Sequence, residues 1–225
     1  MSTLVQLADG LWVAAASQRF LGLHLGTRMT IVRRRDGGLI VHSPIRLDDE
    51  LRGEVEGIGE VRCVIAPNLY HHLYAGDWTS AYPEARLLGP RGLDAKRKDL
   101  SFAATFGDAA DEGFAGTLQH IEVGGTLLRE TVFYHAASRT LVSSDLVENF
   151  ETSPHWPTRW YLEVSGLHGQ PGVGITLRPL YYARARVRSA LDRILACPFD
   201  RMILAHGDVI ETNARDIVYA SFSWL

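Results

Sequence analysis

Four short apolar runs in this chain each lead into residues able to ligate a metal, and this arrangement restricts the fold more than any other feature. Ile40-Val41 is followed by His42. Val64-Ile65-Ala66 passes through Pro67-Asn68 to His71-His72. Leu141-Val142 runs through Ser143-Ser144 into Asp145, and Ile203-Leu204-Ala205 ends at His206-Gly207. Short continuous apolar runs read as strands buried on both faces. In layered α/β proteins, side chains just past strand ends gather at one rim, where ligands bind. Histidine and aspartate are ligand types that zinc and iron favour. Each residue also has a plainer reading. Paired histidines sit in ordinary surface loops, an Asp after two serines serves as a turn or helix cap, and a His before Gly can satisfy a backbone carbonyl. Their joint occurrence after buried strands is what favours a metal.

The remaining pattern is mixed. Strand formers dominate residues 11–16 and 27–34, and Asp36-Gly37-Gly38 signals a hairpin before the run at residue 39. Leu47, Leu51, Val55 and Ile58 line one face of a helix with acidic residues in its first turn. Residues 61–66 form a strand, 76–82 a short helix and 85–88 another strand. A second hairpin spans 118–134, and 140–143 is a further strand. Residues 151–179 hold several Pro, Gly and Trp residues with little periodicity, which predicts a long irregular excursion of the kind that is often functional. Residues 182–195 carry the clearest helix, 202–205 a last buried strand, and 213–224 a terminal helix. With no repeats and no linker, residues 1–225 read as one domain.

A chain of 225 residues with 46% hydrophobic content can bury a sizeable core. Its net charge of −3 gives no basic stripe for nucleic acid. Cys63 and Cys197 lie in or beside apolar segments, as buried free thiols do. The N-terminus has no basic region followed by an apolar core, and no run is long enough to span a bilayer. These features predict a cytoplasmic protein with no membrane partner; oligomeric state is open. A serine-hydrolase G-x-S-x-G, a phosphate-binding loop and a C-x-x-C pair are all missing.

The order of these elements resembles the metallo-β-lactamase superfamily, whose members carry H-x-H-x-D-H after a strand, then a later His, an Asp ending another strand and a final His before Gly. His71-His72 stands at the Asp-His end of the first motif, while Pro67 and Leu69 fall where its first two histidines belong. Ser144-Asp145-Leu146 resembles the Gly-Asp-Leu around the shared Asp, and Ala205-His206-Gly207 the last His. His42-Ser43-Pro44 stands where Asp-Thr-Gly is common. Thr27–Thr30, His42–Pro44 and Ser138–Leu141 further resemble blocks of a divergent bacterial branch. The likeness covers residues 11–207.

The resemblance implies an α/β (α+β) fold, a four-layer αββα sandwich. It also implies one divalent metal, with zinc favoured over iron or manganese, held by His71, His72, Asp145 and His206. Glu130 and His135 are the nearest candidates for the missing later His. Four protein ligands would make a closed, structural site, so Asp145 either completes the set or orients an attacking water instead. His42 would steady a ligand by a hydrogen bond. The activity implied is metal-dependent hydrolysis of a small molecule. The rival is a non-catalytic relative that binds a ligand or protein partner in the old cleft.

Overall fold

Asp36-Gly37-Gly38 turns the chain back on itself in the computed structural model, which describes residues 3–106, 114 and 116–225. Gly37 takes a positive φ of 86°, and the Asp36 carboxylate accepts from the Gly38 amide at 3.1 Å. That closes the hairpin between two strands of a large sheet.

In chain order, β1 (Val5–Ala8) and β2 (Leu11–Ala16) pair antiparallel. A small hairpin follows, β3 (Arg19–Phe20) with β4 (Leu23–His24). The chain continues through β5 (Thr27–Arg33), β6 (Leu39–His42), α1 (Asp49–Ile58), β7 (Val61–Ile65), α2 (Ala75–Ala81), β8 (Arg86–Gly89), α3 (Leu93–Lys96) and β9 (Ala104–Thr105). It then forms β10 (Leu118–Glu122), β11 (Thr131–His135), β12 (Thr140–Val142), α4 (Trp156–Ser165), α5 (Arg184–Leu195), β13 (Arg201–Ile203) and α6 (Ala214–Ser221). The chain divides into two compact units, one built from residues up to 16 and 28–119, the other from 17–27 and 120–225.

In the first unit, the described strands form one sheet in the order β1-β2-β5-β6-β7-β8-β9. Antiparallel β5–β6 sets Thr30 opposite His42, and parallel β6–β7 sets His42 opposite Ile65. Parallel neighbours end at the same edge, so His42 and the loop after Ile65 emerge together. The Asp48 carboxylate caps α1 by accepting from the Leu51 amide at 2.9 Å. Leu51 and Val55 of α1, with Ala75 and Trp78 of α2, pack on Met29, Ile31, Leu39, Val41, Val64 and Leu87. The Trp78 indole N–H donates to the Ile45 carbonyl at 2.7 Å, satisfying its one polar atom inside this core.

In the second unit the sheet order is β10-β11-β12-β13. β11–β12 is antiparallel, and β12–β13 is parallel with Val142 opposite Ile203. Val187, Ala190, Leu191 and Ile194 of α5 and Val218 of α6 cover Val132, Leu141 and Met202. The parallel pair again delivers two chain ends to one edge, those leading to Asp145 and His206.

The irregular excursion expected over residues 151–179 is corrected by α4. Pro157 occupies its first turn and Gly166 ends it at a φ of 72°. Its buried face is Thr158, Leu162 and Ser165, while Trp156, Trp160 and Val164 are exposed. Hydroxyl residues inside and apolar residues outside erase the periodicity by which a helix is read. No helix among the described residues is long and apolar enough to cross a membrane.

Candidate metal centre

In the first unit the site residues follow β6 and β7. His42, the last residue of β6, is 1% exposed. Burial, with the neighbouring His71 ring, lowers its pKa to about 3, so it is neutral. Ser43 next turns the chain with a φ of 53°, a left-handed conformation costly for a serine. Its hydroxyl lies 2.9 Å from His71 Nδ1. The loop after β7 is shaped by buried Asn68, whose side-chain oxygen accepts from the amides of Tyr70 at 2.7 Å and His71 at 2.8 Å.

Adjacent histidines then meet opposite constraints. A serine hydroxyl can donate or accept, so His71 is able to carry its proton on Nδ1 and turn a bare Nε2 to a metal. His72 Nδ1 instead lies 3.0 Å from an Arg97 guanidinium nitrogen, and arginine only donates. The same nitrogen donates to the His72 carbonyl at 3.0 Å, and Asp99 holds the guanidinium from behind at 2.8 and 2.7 Å. In this arrangement His72 accepts at Nδ1, carries its proton on Nε2, and offers a metal no lone pair. The ligand role expected for it meets that obstacle. Burial first, then Lys96 and Arg97, lower its pKa to about 4.

In the second unit Asp145 and His206 come together, with Asp145 Oδ1 at 3.3 Å from His206 Nε2. His206 Nδ1 is 2.8 Å from the Gly26 carbonyl, which only accepts, so Nδ1 bears a proton. The plainer reading of this His, contact with a backbone carbonyl, therefore holds together with the functional one. Its Nε2 lone pair would face the carboxylate oxygen unless a cation intervened. A proton suffices: burial opposes it, but the hydrogen bond and charge of Asp145, with Glu148, raise the His206 pKa. A metal suffices as well, since ligand atoms around tetrahedral zinc, bonded at about 2.0–2.1 Å, stand about 3.3 Å apart.

The backbone around this pair is tightly held. The Ser143 amide donates to the Ile203 carbonyl at 2.9 Å and the Ala205 amide to the Ser144 carbonyl at 3.1 Å, carrying the parallel pairing past the strands. Gly207 has a φ of 80°, and a Cβ there would lie 1.8 Å from the Asn149 carbonyl oxygen. Only glycine fits after His206. Buried Glu148 receives the Tyr161 hydroxyl at 3.1 Å, and burial, countered by His206 and reinforced by Asp145, pushes its carboxyl up to about 7.

Neither a protein-family profile nor a curated protein sequence matches the chain. Solved structures do. The metallo-β-lactamase from Erythrobacter litoralis with β-mercaptoethanol in its active site superposes with a TM-score of 0.68 at 11% identity, over 99% of this chain and 96% of that one. DIM-1 metallo-β-lactamase exposed to ceftazidime gives 0.67 at 12%, over 97% and 94%. The metallo-β-lactamase from Pontibacter korlensis gives 0.63 at 10%, over 96% of each chain. The chain has a metallo-β-lactamase fold.

On this fold the expected α+β class holds at very low sequence identity. Glu130 and His135 have work of their own. Glu130 is buried and binds the Ser144–Asp145 backbone. His135 Nδ1 lies 2.7 Å from the Ser138 hydroxyl, which donates onward to Thr140 and so accepts from the ring. Sequence reasoning missed Ser43, Asn68, Arg97 and Glu148 as parts of the site's surroundings. Asn68 was legible as a Pro-Asn turn after a strand. Arg97 carried no signal, since its contact to His72 crosses 25 residues of chain.

Proposed function

We propose that this protein is a hydrolase acting on a small molecule through one divalent metal, most simply zinc, with iron or manganese as alternatives. Asp145 and His206 of the second unit would offer it ligand atoms, and His71 is the candidate from the first. The observation that carries the reading is the Asp145–His206 edge: two acceptors 3.3 Å apart, with the other ring nitrogen committed to Gly26. A bound metal would supply Lewis acidity and activate water near neutral pH. The chain's own residues do the rest. Gly26 fixes the His206 tautomer, Ser43 steadies His71, and neutral His42 adds no positive charge beside it. His72 contributes a hydrogen-bond donor, so three protein ligands leave a position open for substrate, as catalytic sites require. Asp145 would complete the ligand set or orient the attacking water. The compartment proposed is the cytoplasm.

The second reading, a non-catalytic relative that binds a ligand or partner, is favoured by one observation: Pro67 and Leu69 stand where two histidines of the first metal would be. One experiment separates them. Metal content is measured for wild type, His206→Ala and Asp145→Asn, alongside an ester, thioester, lactone and phosphoester screen. Stoichiometric metal with turnover, both lost in His206→Ala, is the expected result. Wild-type protein that stays empty after incubation with zinc, iron or manganese, and turns nothing over, makes the second reading correct.

A further inference from the structure

Asp145 sits one residue beyond a serine on an irregular stretch after β12, where no strand pairing holds its own amide. What holds it is a carboxylate from another part of the sheet. Glu130, just before β11, is 2% exposed. Its Oε1 accepts from the Ser144 amide at 2.7 Å and the Asp145 amide at 3.1 Å. Its Oε2 accepts from the Ser144 hydroxyl at 3.0 Å and the Asp145 amide at 3.1 Å. Two successive amides converging on one anion form a nest, a concavity of partial positive charge. Here the occupant is built into the protein.

We propose that Glu130 is a positioning residue that sets the direction of the Asp145 carboxylate by clamping the Ser144–Asp145 backbone. Three features of the geometry argue for this above general support of the loop. Both carboxylate oxygens reach the Asp145 amide, so its peptide plane is fixed against rotation rather than tethered at one point. The clamp is independent of the chain leaving β13, which holds the same stretch through the Ala205 amide and the Ser144 carbonyl. The two restraints together leave Asp145 little freedom except about its side-chain torsions, and the 3.3 Å contact to His206 uses those. A carboxylate also suits the task better than an amide. It accepts on both oxygens, whereas a glutamine in either orientation must turn its NH2 toward the Asp145 N–H group.

The role deepens the proposed metal site and rests on it, but the clamp itself is testable without metal. Hydrogen exchange of the Ser144 and Asp145 amides is measured on metal-free wild type and Glu130→Gln. Zinc affinity is measured by chelator competition for both, and for each in an Asp145→Ala background. The expected result is exchange at Asp145 at least about tenfold faster in Glu130→Gln. Zinc affinity should fall about 10–100-fold, the usual cost of losing a group that orients a ligand. In the Asp145→Ala background the same substitution should change zinc affinity by less than about twofold, because its effect passes through Asp145. Equal losses in both backgrounds would mean that Glu130 only supports the fold, and unchanged exchange at Asp145 would remove the clamp. If Glu130→Gln does not fold, Glu130→Asp keeps the charge but is one carbon too short to reach both amides, and the same exchange readout decides. If wild type binds no zinc, the metal reading fails while the exchange result still judges the clamp.

Discussion

His42 and His72 of the first unit are held without their extra protons, whereas the second unit's His206 is held in surroundings that collect one. His42 is lowered to about 3 by burial and by His71, and His72 to about 4 by burial, Lys96 and Arg97. His206 is less deeply buried, with 12% of its side chain exposed, and there Asp145 and Glu148 outweigh burial and raise it. Residue type does not decide the protonation of a buried imidazole; the sign of the charge packed beside it does. The two units also differ in what meets their imidazoles. In the first, the Nδ1 atoms of His71 and His72 meet side chains, Ser43 and Arg97. In the second, Nδ1 of His206 meets a backbone carbonyl, Gly26, and the chain around it is held by Glu130 and the close approach at Gly207.

The sharpest way to break this comparison is Gly207→Ala. The added carbon would overlap the Asn149 oxygen, and the positive φ would strain it further. The backbone must move, so a loss of more than about 3 kcal/mol is expected in urea unfolding, with zinc binding lost alongside. A variant of wild-type stability would show that the second unit is not backbone-clamped.

A smaller effect comes from pH. Unfolded His42 takes up a proton near 6.5, but folded His42 only near 3. Between those values the unfolded chain binds more protons. The stability from keeping His42 neutral is therefore complete above about pH 6.5 and drains as pH falls, at about 1.4 kcal/mol per unit. By pH 4.5 metal-free protein should have lost about 2–3 kcal/mol that a His42→Asn variant, measured against its own stability at pH 7, does not lose. His206 contributes with the opposite sign, since a raised pKa favours the folded state at low pH and gives that up as pH rises. Identical pH slopes in wild type and His42→Asn would contradict the neutral assignment in the first unit.

The smallest effect sharpens the contrast between neighbours. Arg97→Met removes the donor at His72 Nδ1 and one nearby cation. Nitrogen chemical shifts should then report loss of the pure Nε2–H tautomer. The titration midpoint should rise from near 4 by less than about one unit, because burial, the larger cause, remains. A wild-type His72 already protonated on Nδ1 would return it to the set of possible ligands.

Much of the fold was legible because its elements follow simple periods. The apolar face Leu51–Val55 with acidic residues in its first turn, the Asp36-Gly37-Gly38 turn and the continuous runs of β7 and β12 all read correctly. α4 did not, because its buried face is made by Thr158 and Ser165 around Leu162 while its tryptophans face outward. At the site, position after a strand was legible and partnership was not. The chain names His71 and His72 as neighbours of one type, but which ring nitrogen keeps a lone pair is decided by Ser43 and Arg97, far off in sequence. His206 likewise owes its tautomer to Gly26, 180 residues away.

The parallel pairing of β12 with β13 carries a consequence for how the protein comes to fold. Parallel neighbours cannot be joined by a tight turn. Here the crossover from Val142 to Arg201 carries α4 and α5. Closing so long a loop costs chain entropy before any contact repays it, so such pairings form late. Asp145 and His206 lie at the two ends of that crossover and meet only once it is complete. During refolding, their contact should therefore appear with the slowest phase of burial, well after the local hairpin of β11 and β12.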